Sequence, residues 1–233
     1  MDSHATTVDN EVHNPELRHH FADMQQQKNA ASLGMWLFLV TEIMFFGGLF
    51  CAYLVYRTSH YYALAAGSQT IDIKWGAINT AVLIVSSVTV VLAIHAIQVA
   101  KPKLCIFYLA ITIVLGFVFL GIKSIEYAQK FEEHHVPGPT FHFTESYHTQ
   151  GKTIPVDEHE VELFFSLYFA MTGMHALHMI IGIGLMSTMA FMVWKGKFSP
   201  EYHTPLENAG LYWHLVDIIW IYLFPLLYLI SRR

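Results

Sequence analysis

The chain has 233 residues, of which 54% are hydrophobic and only 13% charged. That is about half the ~25% charged content of a soluble domain, which argues against a soluble enzyme and for a membrane protein. The net charge is −5 with no basic patch, which argues against nucleic acid as a partner.

In chain order, residues 1–30 form a polar tail. It carries His4, His13, His19, His20 and the run Gln25-Gln26-Gln27. It has no apolar stretch of the signal-peptide kind and too many acidic residues for a transit peptide, so it is expected to stay outside the membrane. Five apolar stretches follow, at about 31–57, 76–100, 104–128, 162–194 and 208–231. Each exceeds the ~20 residues that a helix needs to cross a bilayer. The predicted fold is therefore all-α, a polytopic five-helix membrane domain over 31–231.

The punctuation supports those boundaries. Arg57 closes the first stretch, and Lys101-Pro102-Lys103 makes the second and third an antiparallel hairpin. Lys195-Gly196-Lys197 ends the fourth, and Arg232-Arg233 follows the fifth, which contains Pro225. Tyr and Trp gather near the stretch ends, as at membrane interfaces. The connector 129–161 is long, acidic and histidine-rich, with a Val136-Pro137-Gly138-Pro139 breaker. It is expected to be an ordered cap or a partner-binding loop. Basic residues outside the stretches divide six against six between the two sides, so they do not orient the chain. Cys51 and Cys105 are too few for a disulfide framework.

The candidate functional residues are the polar groups inside these stretches. Glu42 lies about eleven residues into the first. A lipid-facing charge at that depth costs ~2.5–3.5 kcal/mol, so Glu42 is expected to face the bundle interior. There it is either a neutral acid bonded to a neighbouring helix or a group that handles protons. The fourth stretch carries His175 and His178, three apart and on one face; the fifth carries His214 and Asp217 in the same spacing. The simplest assembly is one hydrogen-bond network joining the three helices, with Thr172 and Asn79 able to enter it. These residue types could also ligate a metal or a haem, but H-x-x-H is a short pattern, and no metal site is assigned. His95, Lys123 and Glu126 sit near stretch ends; Lys123 and Glu126, three apart, could form an intrahelical ion pair, and snorkelling explains most of these groups. Gly47-Gly48 and Gly182/Gly184 permit close helix approach.

Five segments in order, WLFLVTEIMFFGGLFCAYLVYR (36–57), NTAVLIVSSVTVVLA (79–93), FLGIKSIEYAQ (119–129), TGMHALHMIIG (172–182) and YWHLVDIIWIYLFPLLYL (212–229), closely resemble the haem-copper oxidase subunit III family. The resemblance covers roughly residues 31–231 and implies a subunit with no catalytic site and no cofactor of its own. Haem and copper are expected in partner subunits, with oxidase subunit I as the main contact. Other oxidase subunits, a larger respiratory supercomplex and membrane lipids are further expected partners. The implied role is to stabilise subunit I, support proton uptake and hold phospholipid. The family's carbodiimide-reactive glutamate falls on Glu42. The implied setting is a bacterial cytoplasmic membrane, with a cytoplasmic N-terminus and the C-terminus opposite.

Fuller members have seven helices; this chain resembles the five-span prokaryotic type, without the first two. The fourth stretch also lacks arginine, which leaves Lys195 as the candidate contact to a lipid headgroup. Related readings are a subunit III-like component of a quinol oxidase or nitric oxide reductase. A reading from another class is a stand-alone proton transporter, which the lack of an internal repeat disfavours.

Overall fold

The computed structural model describes residues 21–139, 141–144, 146–149 and 152–230; the histidines of the N-terminal tail lie outside this range. The elements are α1 (Met24–Ser59), α2 (Tyr61–Gln69), α3 (Ile73–Gln98), α4 (Pro102–Glu132), β1 (Tyr147–Thr149), β2 (Lys152–Ile154), α5 (Glu158–Trp194) and α6 (Thr204–Tyr228). Five of the six helices, all but α2, are long and apolar enough to cross a membrane. The strands form one antiparallel hairpin, with Tyr147 opposite Ile154.

Helix starts follow from local chemistry. Asp23, Asp72 and Asp157 cap α1, α3 and α5 by accepting from the backbone N–H of Gln26, Lys74 and His159. Pro102 and Pro205 stand in the first turns of α4 and α6, where a missing N–H costs nothing. Gly196 ends α5 at φ 69°, in the left-handed region that glycine enters without penalty.

Helix α1 begins at Met24, before the apolar run opens near residue 31, because the capped Gln-rich segment continues the same helix. The 36 residues of α1 and 37 of α5 reach about 54–56 Å at ~1.5 Å each, well beyond a ~30 Å hydrocarbon layer. Their ends therefore project into the polar region. Helix α2 was not expected. Its Ala63–Ser68 segment is wholly buried, and the ring of Phe164 fills the space beside Gly67. The α4–α5 connector folds onto the same end, burying Phe143 and Tyr147 and stacking His135 on Phe165 at 5.1 Å.

The core is organised by heptad stripes. Helix α4 buries Cys105, Leu109, Thr112, Gly116, Phe119, Lys123, Glu126 and Lys130, spaced alternately four and three residues apart. Helix α1 buries Leu39, Phe46 and Tyr53, each seven residues from the next, and is otherwise largely exposed. Trp213 of α6 locks four helices together. Its ring lies against Gly116 of α4 and Gly182 of α5, and its indole N–H donates to Ser86 of α3 at 3.1 Å. Gly47, Gly48 and Gly184 face open space instead.

A Cβ on Gly116 would stand 3.0 Å from both Ile183 and Trp213, whereas one on Gly121 would meet nothing. We expect Gly116→Leu to lose at least about 1–3 kcal/mol of stability through overpacking. Gly121→Leu should be close to neutral. Thermal unfolding of the purified protein in detergent compares the two.

Candidate functional site

Glu42 lies on the one buried stripe of α1, between Leu39 and Phe46. Its Oε2 is 3.0 Å from Nε2 of His178 on α5. The His178 Nδ1 is 2.8 Å from the carbonyl oxygen of Met174. That oxygen only accepts, so Nδ1 carries a hydrogen. Nε2 is then either bare, facing a protonated Glu42, or protonated, facing a carboxylate. In both forms the Glu42–His178 contact holds one proton between its two atoms. Phe46 meets the imidazole edge-on at 5.2 Å, and the Tyr212 hydroxyl donates to the His178 carbonyl at 3.0 Å. These contacts fix the ring on the α1–α5 seam.

The other sequence candidates lie elsewhere. His175, one turn before His178, is fully buried between Phe119 and Trp220, with ring centroids at 5.4 and 5.2 Å. Neither of its nitrogens makes a hydrogen bond. His214 pairs through Nδ1 with the Ser87 hydroxyl of α3 at 2.7 Å. Asp217 is 2% exposed and neither carboxyl oxygen makes a hydrogen bond of good geometry, although Ser87 stands beside it. Lys195 is exposed at the end of α5, with its Nζ 4.4 Å above the Phe191 ring. Thr172 bonds to Tyr127, and Asn79 is buried with its amide unpaired. The helices thus bring Glu42 to His178 and His214 to Ser87. They do not join all five residues in the single network that the spacing suggested.

Lys123 and Glu126 form the intrahelical ion pair that their spacing allows, but inside a second buried cluster rather than by snorkelling. Both are 3% exposed. Lys123 Nζ donates to Glu126 Oε2 at 3.1 Å and to the hydroxyls of Tyr168 and Tyr228 at 3.2 and 2.9 Å. Glu126 Oε1 accepts from both of those tyrosines at 2.6 Å. The Lys123 ammonium also lies 5.1 Å from the Trp220 ring centroid. The charge is therefore compensated inside the bundle by α4, α5 and α6 together, and no route to the interface is needed. The signal was in the sequence: continuing the 105–109–112–116–119 spacing places Lys123, Glu126 and Lys130 on the buried face. Lys130, one heptad beyond Lys123, bonds to the Thr70 carbonyl at 2.8 Å and ties α2 to α4.

Among the described residues, no group of three or more His, Cys, Asp or Glu side chains is placed to hold a metal ion. What the arrangement offers chemically is a proton held at the α1–α5 seam and a closed ion pair at the bundle centre. Removing one partner of a buried pair typically costs about 3–5 kcal/mol. Lys123→Met is therefore expected to destabilise by about that amount, and Lys123→Met with Glu126→Gln by clearly less. The unfolding midpoints of both variants in graded detergent check this.

The family described as cytochrome c oxidase subunit III matches residues 16–154 and 159–232. Cytochrome c oxidase subunit 3 of Thermostichus vulcanus is 32% identical over 86% of this chain and 87% of its own length. The protein of the same name from Gallus gallus is 30% identical over 84% of this chain and 67% of its own length. A probable quinol oxidase subunit 3 of Staphylococcus haemolyticus is 27% identical over 99% of this chain and 98% of its own. The match runs through all five long apolar helices, and this integral membrane protein belongs to the cytochrome c oxidase subunit III family of haem-copper oxidase subunits.

Proposed function

We propose that the chain is an accessory, non-catalytic subunit of a respiratory terminal oxidase in a bacterial cytoplasmic membrane. In this reading the N-terminus is cytoplasmic, and haem and copper reside in partner subunits. Electron transfer to oxygen occurs in subunit I, which this chain stabilises and whose proton uptake it supports. The observation that carries the reading is the Glu42–His178 pair. It holds a single proton at a helix seam in a chain of the subunit III family. A group that can place a proton on either of two atoms can pass it across the helix seam without taking part in oxygen chemistry. Phospholipid is proposed as a bound component, with exposed Lys195 as a point-charge contact to its phosphate.

A second reading, a subunit of a quinol-oxidising enzyme, draws support from the Staphylococcus haemolyticus relative, which aligns over nearly the full length of both chains. The electron donor is set by other subunits. Oxidation of a quinol or of reduced cytochrome c by the purified complex separates the two readings.

The accessory role predicts that removing this chain leaves initial oxygen reduction in place and shortens the time for which turnover is sustained. An unchanged turnover lifetime would reject the protective role. Within the chain, Glu42→Gln keeps a hydrogen bond to His178 but cannot carry the shared proton. It should preserve assembly and shift proton-linked behaviour modestly; complete loss of oxygen reduction would contradict the accessory role. Glu42→Leu leaves His178 Nε2 unpaired and should cost about 1–3 kcal/mol of stability. Oxygen consumption over successive turnovers, with unfolding in detergent, distinguishes these outcomes.

A further inference from the structure

One end of the bundle is built from the α1–α2 joint, the α4–α5 connector and the start of α5. Helix α5 opens there with Asp157, Glu158, Glu160 and Glu162. Two of these carboxylates meet an imidazole from another element. Glu160 Oε1 is 3.0 Å from Nδ1 of His60, and Glu158 Oε1 is 3.2 Å from Nδ1 of His142 on the connector. Glu158 Oε1 also accepts from the backbone N–H of Phe143 at 3.0 Å, and Glu162 Oε1 from that of Gly138 at 3.0 Å. The acidic start of α5 is thus the post to which both the connector and the joint are tied.

His60 is the joint itself. It ends α1 and begins α2 at φ −125° and ψ 45°, outside the helical region. Its backbone N–H donates to the Tyr56 carbonyl, its carbonyl accepts from the Leu64 N–H, and its imidazole reaches across to α5. Beyond the joint, Ala63–Ser68 of α2 is buried; before it, α1 is held along the narrow line of Leu39, Phe46 and Tyr53. A segment with few buried contacts opens locally at low cost, so a clasp at its end is a sizeable share of what closes it.

The strength of that clasp depends on pH. The charge of an imidazole changes between about pH 5 and 8, a range in which an ordinary glutamate stays ionised. A protonated imidazole attracts the carboxylate, and a neutral one offers only a hydrogen bond. Protonation adds this attraction in the closed form alone, so the closed form gains as pH falls and loses the gain as pH rises. Water reaches both pairs: His60 and Glu160 are 33% and 40% exposed, His142 and Glu158 70% and 48%. Other titratable groups stand nearby. Tyr56 and Arg57 precede His60 on α1, Tyr61 and Tyr62 follow it on α2, and His159 and Glu162 of α5 line the pocket that His60 shares with Glu160. His134 accepts through its carbonyl from the His142 backbone N–H. His159 pairs with Glu162 within α5 and so ties no two elements together. His135 meets Glu133, but that carboxylate already holds the Lys130 ammonium.

We propose that His60–Glu160 and His142–Glu158 form a pH-sensitive clasp that fastens the α1–α2 joint and the connector to α5 when the surrounding compartment is acidic. Helix α1 crosses the membrane once before His60, so that compartment lies opposite the N-terminus. The regulatory sense of the clasp rests on the accessory reading. With a cytoplasmic N-terminus, the clasp faces the side that a proton-translocating oxidase acidifies, and it tightens as turnover proceeds. The Glu42–His178 pair lies within the membrane on the same helix, so α1 carries one pair that holds a proton and a second that senses protons outside.

Hydrogen–deuterium exchange in the complete purified complex tests this between about pH 5.5 and 8, with each rate divided by the intrinsic rate at that pH. Amides of residues 60–64 should be about two- to fivefold better protected at the acidic end, and those of residues 109–119 in α4 should show no such change. His60→Gln keeps a hydrogen-bond donor without the charge, and Glu160→Gln removes the opposite charge. Each should flatten the response at the joint. Both positions are partly exposed, so the substitutions leave the core intact. His159→Gln should leave the response unchanged. Protection of the joint that does not vary with pH in the unmodified complex overturns the proposal. So does a response that survives both His60→Gln and Glu160→Gln, one that His159→Gln removes, or an equal change in residues 109–119. In sealed vesicles, acidifying only the compartment opposite the N-terminus should reproduce the protection, and a response to the other compartment overturns the placement. The accessory reading fails separately, if no haem-bearing subunit co-purifies with the chain; the pH response of the joint is read in either case.

Discussion

A polar group inside a bilayer has no water to bond with, so it must find its partner in protein. The arrangement of this bundle follows from that constraint. Lys123 and Glu126 stand on the inward stripe of α4, and two tyrosines from α5 and α6 close around them. The tyrosine hydroxyls bond to both charges at once, so ammonium and carboxylate saturate each other within one shell. Buried pairs of this kind add little net stability against an apolar core of equal volume. Their effect is to specify which helices meet and at what height. Here they set the depth of α4 against α5 and α6, and with it the level at which Trp213 enters between Gly116 and Gly182.

The same constraint, met differently, explains Glu42. Helix α1 touches the bundle along a narrow line of Leu39, Phe46 and Tyr53, and its remaining surface is apolar and exposed. Glu42 is on that line, and His178 is the group it meets across the seam. The Tyr53 hydroxyl, further along the line, donates to the Leu226 carbonyl at the end of α6 at 3.0 Å. A third polar contact runs from the Asn208 amide to the Ala31 carbonyl at 3.5 Å. The Tyr53 bond is fixed in its hydrogens; the Glu42–His178 pair can place its proton on either atom.

Much of this was legible in the residues. The number of spanning helices, the α3–α4 hairpin and the inward face of Glu42 follow from apolar length, the Lys-Pro-Lys turn and the cost of a charge in lipid. Other features did not follow, for definite reasons. A spacing of three puts His175 and His178 on one face of α5, but that face is broad enough to meet two neighbours. The two rings therefore diverge, His175 into the aromatic pocket of Phe119 and Trp220 and His178 toward α1. Lys123 and Glu126 pair as their spacing of three allows, but their burial follows the heptad phase of α4 and not their distance from a helix end. Helix α2 was hidden because nine residues are too short to show an apolar period, and its small side chains are buried by tertiary packing.

The groups that remain unpaired carry information as well. His175 and Asn79 lie inside the bundle, enclosed by this chain's own helices, so their unmet bonds concern only the interior. Asp217 lies beside a groove on the outer surface, yet its carboxyl oxygens are as closed off as those interior groups. An interior orphan can be served by a buried water, which needs only a small polar cavity. The α1–α5 seam, by contrast, presents a polar pair that is partnered within the chain.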